Sequence, residues 1–329
     1  MRPDKSKITI LDNLSKVEQF ITEIIISPKQ NLKKWSEITK QTPAAKIGYI
    51  GQHLASLITG VQGTGSGARG DDLCDKSEVK SCSKIDQVDK CKDCGERVMR
   101  YETTCSNCNS INISRKDDSK WLFSVRDEIE LNQYLQMDRI FLLLMDYPNF
   151  DNGDYKDIRI MSFEIYPKED RMKEFGSLLK NHYYNIFKPK QEENRHTNPM
   201  NFHPFSYQFY KCNPILTFSC IIENIDTSPK IVIDKSNYIQ PETDRKATMK
   251  SLSMPTSLLK PKEWHELIEK LDYTELKKQM VKSTLHKQDF ISLKIKDKAQ
   301  ILPHIDEKSR AVLSMREIIS VIQSERYIR

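Results

Sequence analysis

Glycine is scarce in this chain, at ten of 329 residues, and unevenly placed. Five of the ten (Gly60, Gly63, Gly65, Gly67 and Gly70) fall within eleven residues, so unusual backbone freedom is concentrated at one point. No apolar run reaches membrane length and no signal peptide opens the sequence, which implies a reducing compartment and no membrane partner. Gly-x-Ser-x-Gly and Walker-type lysine motifs are both missing, so acyl transfer and nucleotide hydrolysis have no support. Histidine supplies no metal motif. His182, His196 and His203 cluster in sequence without a usable spacing, and His265, His286 and His304 stand singly in polar stretches. Neither sign of charge dominates: 52 basic against 46 acidic residues leave +6, which suits a basic groove better than a uniformly basic surface. A chain of 329 residues can bury a sizeable core and is expected to hold two domains.

The glycine cluster leads into Gly70-Asp-Asp-Leu-Cys-Asp-Lys-Ser-Glu-Val-Lys80. Gly65-Ser-Gly-Ala-Arg-Gly70 spells G-x-G-x-x-G, but a helix-like segment precedes it and a short strand follows, the reverse of a dinucleotide-binding unit. A flexible backbone approaching Asp71-Asp72 fits close passage of a ligand such as a sugar-phosphate chain; a plain linker is the alternative. Glu78 and Lys80 are two residues apart, so on a strand they share a face. A carboxylate from Asp71 or Asp72, just ahead of a tight turn, can join them. Two carboxylates and a lysine suit one or two Mg²⁺ ions and a water: the metal polarises a phosphate and Lys80 orients or deprotonates the nucleophile. The pattern resembles the PD-(D/E)XK nuclease signature. A solvated hairpin with exposed Glu and Lys would carry the same letters in a chain that is 30% charged.

Cysteine carries a second signal. Cys91-Lys-Asp-Cys94 and Cys105-Ser-Asn-Cys108 are two C-x-x-C pairs separated by ten residues, the spacing of a Cys₄ zinc ribbon. Four thiolates leave no open coordination position, so a zinc held there is structural. Cys74, Cys82, Cys212 and Cys220 lack such spacing and are expected to be packed thiols.

Hydrophobic periodicity orders the rest. Residues 8–26 and 44–58 predict helices, 71–82 a strand-like hairpin, and 88–112 the zinc loop. A charged helix-prone segment spans 127–138. Arg139-Ile-Phe-Leu-Leu-Leu-Met-Asp146 is continuously apolar, as a buried central strand requires, and 157–166 alternates like its partner. Residues 168–187 predict a helix. Lys188 to Pro199 is almost devoid of apolar residues and reads as linker or mobile loop. Asn201 to Lys211 interleaves five aromatics with polar groups, either to stack on bases and sugars or to build a core from Phe202, Phe205 and Phe209. Strands are expected at 215–224 and 230–234, and helices beyond Trp264, with 311–322 amphipathic and suited to packing or dimerisation. The fold class is α/β (α+β): a mixed sheet flanked by helices, a zinc ribbon inserted after the strand bearing Glu78 and Lys80, and a mixed α/β C-terminal region.

Gly65-Ser-Gly-Ala-Arg-Gly-Asp-Asp-Leu73, Ser77-Glu-Val-Lys-Ser81, the Cys₄ insert and Arg115-Lys-Asp-Asp-Ser-Lys-Trp-Leu-Phe123 together resemble the MamI-type type II restriction endonucleases, over about residues 45–185. The resemblance implies a PD-(D/E)XK catalytic domain at 1–187, with the ribbon at 88–112, and a DNA-recognition and dimerisation region at 188–329. It implies a prokaryotic, cytoplasmic homodimer that cuts both strands of a short palindromic or interrupted-palindromic site in double-stranded DNA, beside a protective methyltransferase. Mg²⁺ would be held by Asp72 (Asp71 as alternative), Glu78 and the Val79 carbonyl, with Lys80 catalytic. Zinc would be held by Cys91, Cys94, Cys105 and Cys108. Expected DNA contacts are Arg69, Ser81, Lys84, Lys116 and Lys120, with Tyr207, Gln208 and Lys211 in the later region.

Lys46-Ile-Gly-Tyr-Ile-Gly-Gln-His-Leu-Ala55 is similar to the helix before the active strand of a mismatch-repair nicking nuclease. A glutamate there supplies an extra metal ligand. Ala55 stands at the matching position, leaving Gln52 as a weak substitute. The alternatives are a repair nicking nuclease and a non-catalytic zinc-ribbon module that binds DNA or protein.

Overall fold

Apolar side chains on both faces make residues 139–146 the strand around which the sheet is built. The computed structural model describes residues 1–65, 71–194, 198–204, 206–247, 254–281 and 284–313, the side chains of 206–208 excepted. Helices α1 (Asn13–Phe20), α2 (Ser27–Thr39) and α3 (Ile47–Thr59) precede β1 (Ser77–Ser83). A small three-stranded ribbon follows: β2 (Asp89–Cys91), β3 (Arg97–Val98) and β4 (Ile113–Ser114). Then come β5 (Phe123–Val125), α4 (Glu128–Gln136), β6 (Arg139–Asp146), β7 (Ile158–Ile165), α5 (Lys173–His182) and α6 (Lys188–Glu193). Beyond them lie β8 (Met200–Phe202), α7 (Ser206–Lys211), β9 (Ile215–Glu223) and β10 (Lys230–Ile233). The final part holds β11 (Met254–Pro255), α8 (Pro261–Lys270), α9 (Tyr273–Gln279), α10 (Lys287–Ser292), α11 (Ile295–Ile301), β12 (His304–Ile305) and α12 (Glu307–Ala311).

The main sheet runs β1-β6-β7-β9-β10. The β1–β6 pair is parallel and the others antiparallel, so the sheet is mixed and flanked by helices, as expected. Every residue of β6 and β7 is buried. The pleat sends Ile140, Leu142 and Leu144 into one apolar cluster and Phe141, Leu143 and Met145 into another. The first cluster draws in Phe123, Phe175, Phe202, Phe209 and Trp264; the second packs Val17, Ile21, Leu54 and Ile58 from the N-terminal helices. Val79 of β1 belongs to the second cluster and Cys82 to the first, so Glu78 and Lys80 share the first cluster's face.

Several expectations need correction. The segment 71–82 is no hairpin: β1 pairs in parallel with β6, far along the sequence, and a turn precedes it. The opening helix starts at Asn13, passes through a π-helical turn at Ile21–Ile26, and continues to Thr39. The supposed linker after 187 begins as α6, continuous with α5 through a π-helical turn at Tyr183–Phe187. Cys74 is exposed, whereas Cys82, Cys212 and Cys220 are packed. Phe202 and Phe209 are core residues. Strands β9 and β10 complete the sheet begun by β1, and the first cluster spans Cys82 to Leu313. His196, Phe205, Arg69 and most of the expected helix at 311–322 lie outside the described residues.

Two contacts fix β1. Gly51 lets α3 lie directly on it: a Cβ there would sit 1.7 Å from Ser81 Oγ. Arg139, at the start of β6, donates through Nε to Ser77 Oγ at 2.9 Å and through Nη2 to Asp75 at 2.5 Å. Its Nη1 lies 3.6 Å from Glu164 on β7, whose fully buried carboxylate also accepts from Arg245 at 3.0 and 3.1 Å and from Tyr166. Burial alone would raise the Glu164 pKa, but the two guanidiniums reverse this and hold it at about 2, below the ordinary glutamate value of 4.5.

Because Glu164 is depressed in the folded state, its contribution is complete above about pH 4.5 and is lost as pH falls toward about 2. The loss across that window is on the order of 3 kcal/mol. Urea unfolding between pH 6 and pH 2.5 should show a steeper fall for the wild type than for Glu164→Gln, which starts less stable; parallel curves would contradict the assignment.

Candidate active site and cysteine cluster

β1 is an edge strand, and its outer side carries the site. Asp72, in the turn before it, accepts the Val79 backbone N–H at 2.7 Å through Oδ2 and the Gln52 amide at 2.5 Å through Oδ1. The backbone N–H groups of Asp72 and Leu73 both donate to the Ser77 carbonyl, at 3.1 and 3.2 Å, and close the turn. Glu78 and Lys80 form an ion pair on the adjoining face. Asp71 is exposed, whereas Asp72 is half-buried and held on both oxygens.

Burial raises the Asp72 pKa, opposed by the Val79 N–H and by Lys80. Burial likewise raises Glu78, with Lys80 opposing. For Lys80, burial favours the neutral amine but is outweighed by Glu78 and Tyr134, so its pKa is raised. Two partly buried carboxylates without a full complement of positive charge are hard oxygen donors that a divalent cation would relieve. The adjoining cleft is lined by Asp71, Glu78, Lys80, Arg126, Gln133 and Tyr134, the last two from α4. Asp127 caps that helix by accepting the Glu130 N–H at 2.9 Å. Ala55 lies fully buried in the apolar cluster, so α3 offers no carboxylate there; Gln52, one turn earlier, faces Asp72 instead.

The four ribbon sulfurs Cys91, Cys94, Cys105 and Cys108 lie within 4.8 Å of one another, the one such His/Cys/Asp/Glu cluster among the described residues. Cys91–Cys108 and Cys94–Cys105 are separated by 3.6 and 3.5 Å. Tetrahedral Zn–S bonds of about 2.3 Å place sulfurs about 3.8 Å apart, so the donor set fits zinc. Both knuckles are built alike. The residue after each second cysteine, Gly95 (φ +79°) or Asn109 (φ +58°), is left-handed and donates its N–H to the first cysteine's carbonyl, at 3.0 and 2.8 Å. Glycine and asparagine adopt that conformation most readily, a sequence signal available beside the spacing.

Buried Asp89 ties the ribbon's own segments together, and Arg100 links it to the body. It pairs with Arg100 at 3.1 Å and Arg115 at 2.8 Å and accepts the Lys116 N–H at 2.7 Å. The Arg100 guanidinium also lies 5.0 and 5.1 Å from the Phe150 and Tyr155 rings. Neither Asp89 nor this aromatic cage is apparent from sequence spacing, because its parts are far apart in the chain.

The other expected residues scatter. The Ser81 hydroxyl is buried against Gly51 without a partner, and so is not presented to solvent. Lys84 pairs with Asp117 at 3.1 Å, as does Lys260 at 2.8 Å. Lys116 is exposed beside Asp118, Lys120 is half-buried near His203, and Lys211 is half-buried. The Tyr207 and Gln208 side chains lie outside the described set. No described helix is long and apolar enough to cross a membrane.

The family model described as MamI restriction endonuclease matches residues 34–257. The type II restriction enzyme MamI of Microbacterium ammoniaphilum is 33% identical over 139 residues, 42% of this chain and only 40% of that enzyme's length. No solved structure matches. The family match takes in α3, the turn with Asp72, β1 and the whole cysteine cluster, across more than half of the chain. The chain therefore belongs to the MamI restriction endonuclease family.

Proposed function

We propose that this protein is a type II restriction endonuclease of the PD-(D/E)XK kind, hydrolysing phosphodiester bonds of double-stranded DNA at a short palindromic or interrupted-palindromic site. The observation that carries the reading is the Glu78–Lys80 ion pair on an edge strand beside an open cleft, with Asp72 bonded to the same strand from the turn before it, in a member of this family. Asp72, Glu78 and the Val79 carbonyl are the residues to hold Mg²⁺, which when bound would polarise the scissile phosphate. Gln52 and the Val79 N–H keep the Asp72 carboxylate turned toward the strand. Lys80 reaches the same cleft, where its ammonium orients the attacking water. Zinc in the Cys₄ ribbon is structural, holding the long β1–β6 connection in shape. The region from 188 onward is proposed to contribute dimer contacts and base readout, with Tyr207, Gln208 and Lys211 as polar candidates and Arg69, Lys116 and Lys120 as backbone contacts. A homodimer places two active sites across a symmetric duplex, in a prokaryotic cytoplasm with a protective methyltransferase.

Incubation with phage DNA and Mg²⁺ tests the reading. Discrete fragments are expected; random nicks would indicate a repair nuclease, and intact but retarded DNA a binding module. Lys80→Ala, Glu78→Ala and Asp72→Ala should each lower cleavage by about 10²–10⁴-fold while specific binding persists. Near wild-type cutting by Lys80→Ala ends the assignment.

Metal analysis of protein purified under reducing conditions should find about one zinc per chain. Cys91→Ser or Cys105→Ser should lower solubility and Tm more than intrinsic cleavage, and protein wholly free of zinc would refute the ribbon. Light scattering of the DNA complex should give two chains per duplex; one chain per duplex, with both strands cut together, would exclude the dimer.

A further inference from the structure

A lysine side chain is a flexible four-carbon stem, so holding its ammonium at a reacting centre takes partners. Lys80 has two such partners. One is Glu78. The other is Tyr134 of α4, whose ring centroid lies 5.5 Å from Lys80 Nζ, within cation–π range. The two partners differ in kind. Glu78 is the carboxylate assigned above to the metal, and a cation there competes with Lys80 for its oxygens. A neutral phenol faces no such competition.

Tyr134 is rigidly placed. It is 8% exposed, packs edge-on against Phe123 with centroids 5.5 Å apart at 71°, and lies on a helix capped by Asp127. Burial raises its pKa, which keeps the hydroxyl protonated and the ring neutral. A core tyrosine needs only an apolar environment; this one also lines the cleft and meets the lysine.

We propose that Tyr134 is a positioning residue for Lys80, its ring fixing the ammonium in the cleft when Glu78 turns to other partners. The inference rests on the reading of Asp72, Glu78 and Lys80 as the reacting set.

The test compares wild type with Tyr134→Phe and Tyr134→Leu in three measurements. These are single-turnover cleavage with Mg²⁺, DNA affinity with Ca²⁺ in place of Mg²⁺, and amine labelling of Lys80 in metal-free protein, read by mass spectrometry against the other lysines. Losing the hydroxyl alone should change cleavage by less than about 5-fold, and losing the ring should slow it about 100-fold. DNA affinity should stay within about 2-fold, and Lys80 labelling should rise in the order wild type, Phe, Leu. A Leu variant that cuts at the wild-type rate, with Lys80 labelling unchanged, overturns the proposal. So does a loss of rate matched by equal losses of affinity and Tm, since that marks a structural wall. A wild type that cuts no DNA overturns the nuclease reading and this inference together, an outcome distinct from either of the others.

Discussion

The buried carboxylate of Glu164 is the interaction on which the arrangement of the site depends. It sits without solvent between Arg139 and Arg245, with Tyr166 as a further donor. Through Arg139 it reaches Asp75 and Ser77, which flank the start of β1; through Arg245 it fastens the segment after β10, whose Gln240 and Thr243 carbonyls accept from the same guanidinium at 2.9 and 2.8 Å. Leaving either arginine unpaired in this interior costs several kcal/mol, whereas the intact set is close to neutral against an apolar replacement. Its service is therefore to specify geometry. The turn holding Asp72 is fixed relative to the strand holding Glu78 and Lys80 because both are tied to the same buried charge.

Asp72 illustrates how structure and chemistry share a group. An open strand edge exposes N–H groups that invite pairing with another chain. Asp72 occupies the Val79 N–H on that edge, and Gln52 from α3 braces the other carboxylate oxygen. Gly51 permits the close approach of α3 on which the Gln52 contact depends. The candidate metal ligand and the strand cap are one side chain.

Much of this was legible in the sequence where the signal is local. The apolar run at 139–146 could only be a strand buried on both faces, and the two-residue spacing of Glu78 and Lys80 put them on one face whatever β1 paired with. The C-x-x-C pairs specified their cluster by spacing alone. What stayed hidden is non-local or masked by composition. The partner of β1 lies beyond the ribbon and α4, so a local hairpin was the natural but incorrect reading. Helix α2 and helix α6 are mostly polar and each has a proline in its first turn, which reads as an ending when it is in fact compatible with a helical start. Tyr134 and Gln52 meet Lys80 and Asp72 only after packing brings α4 and α3 to opposite sides of β1.

The parallel pairing of β1 with β6 also governs the order in which the molecule can assemble. Its two strands are joined by everything from Lys84 to Asp138, and closing so long a loop carries an entropy penalty before the first ladder bond can form. The knuckles at 91–95 and 105–109 lie entirely within that loop, each made from residues a few positions apart. They can therefore form early and shorten the effective length of free chain between the strands. The ribbon thus takes up part of the chain that the parallel pairing of β1 with β6 has to close.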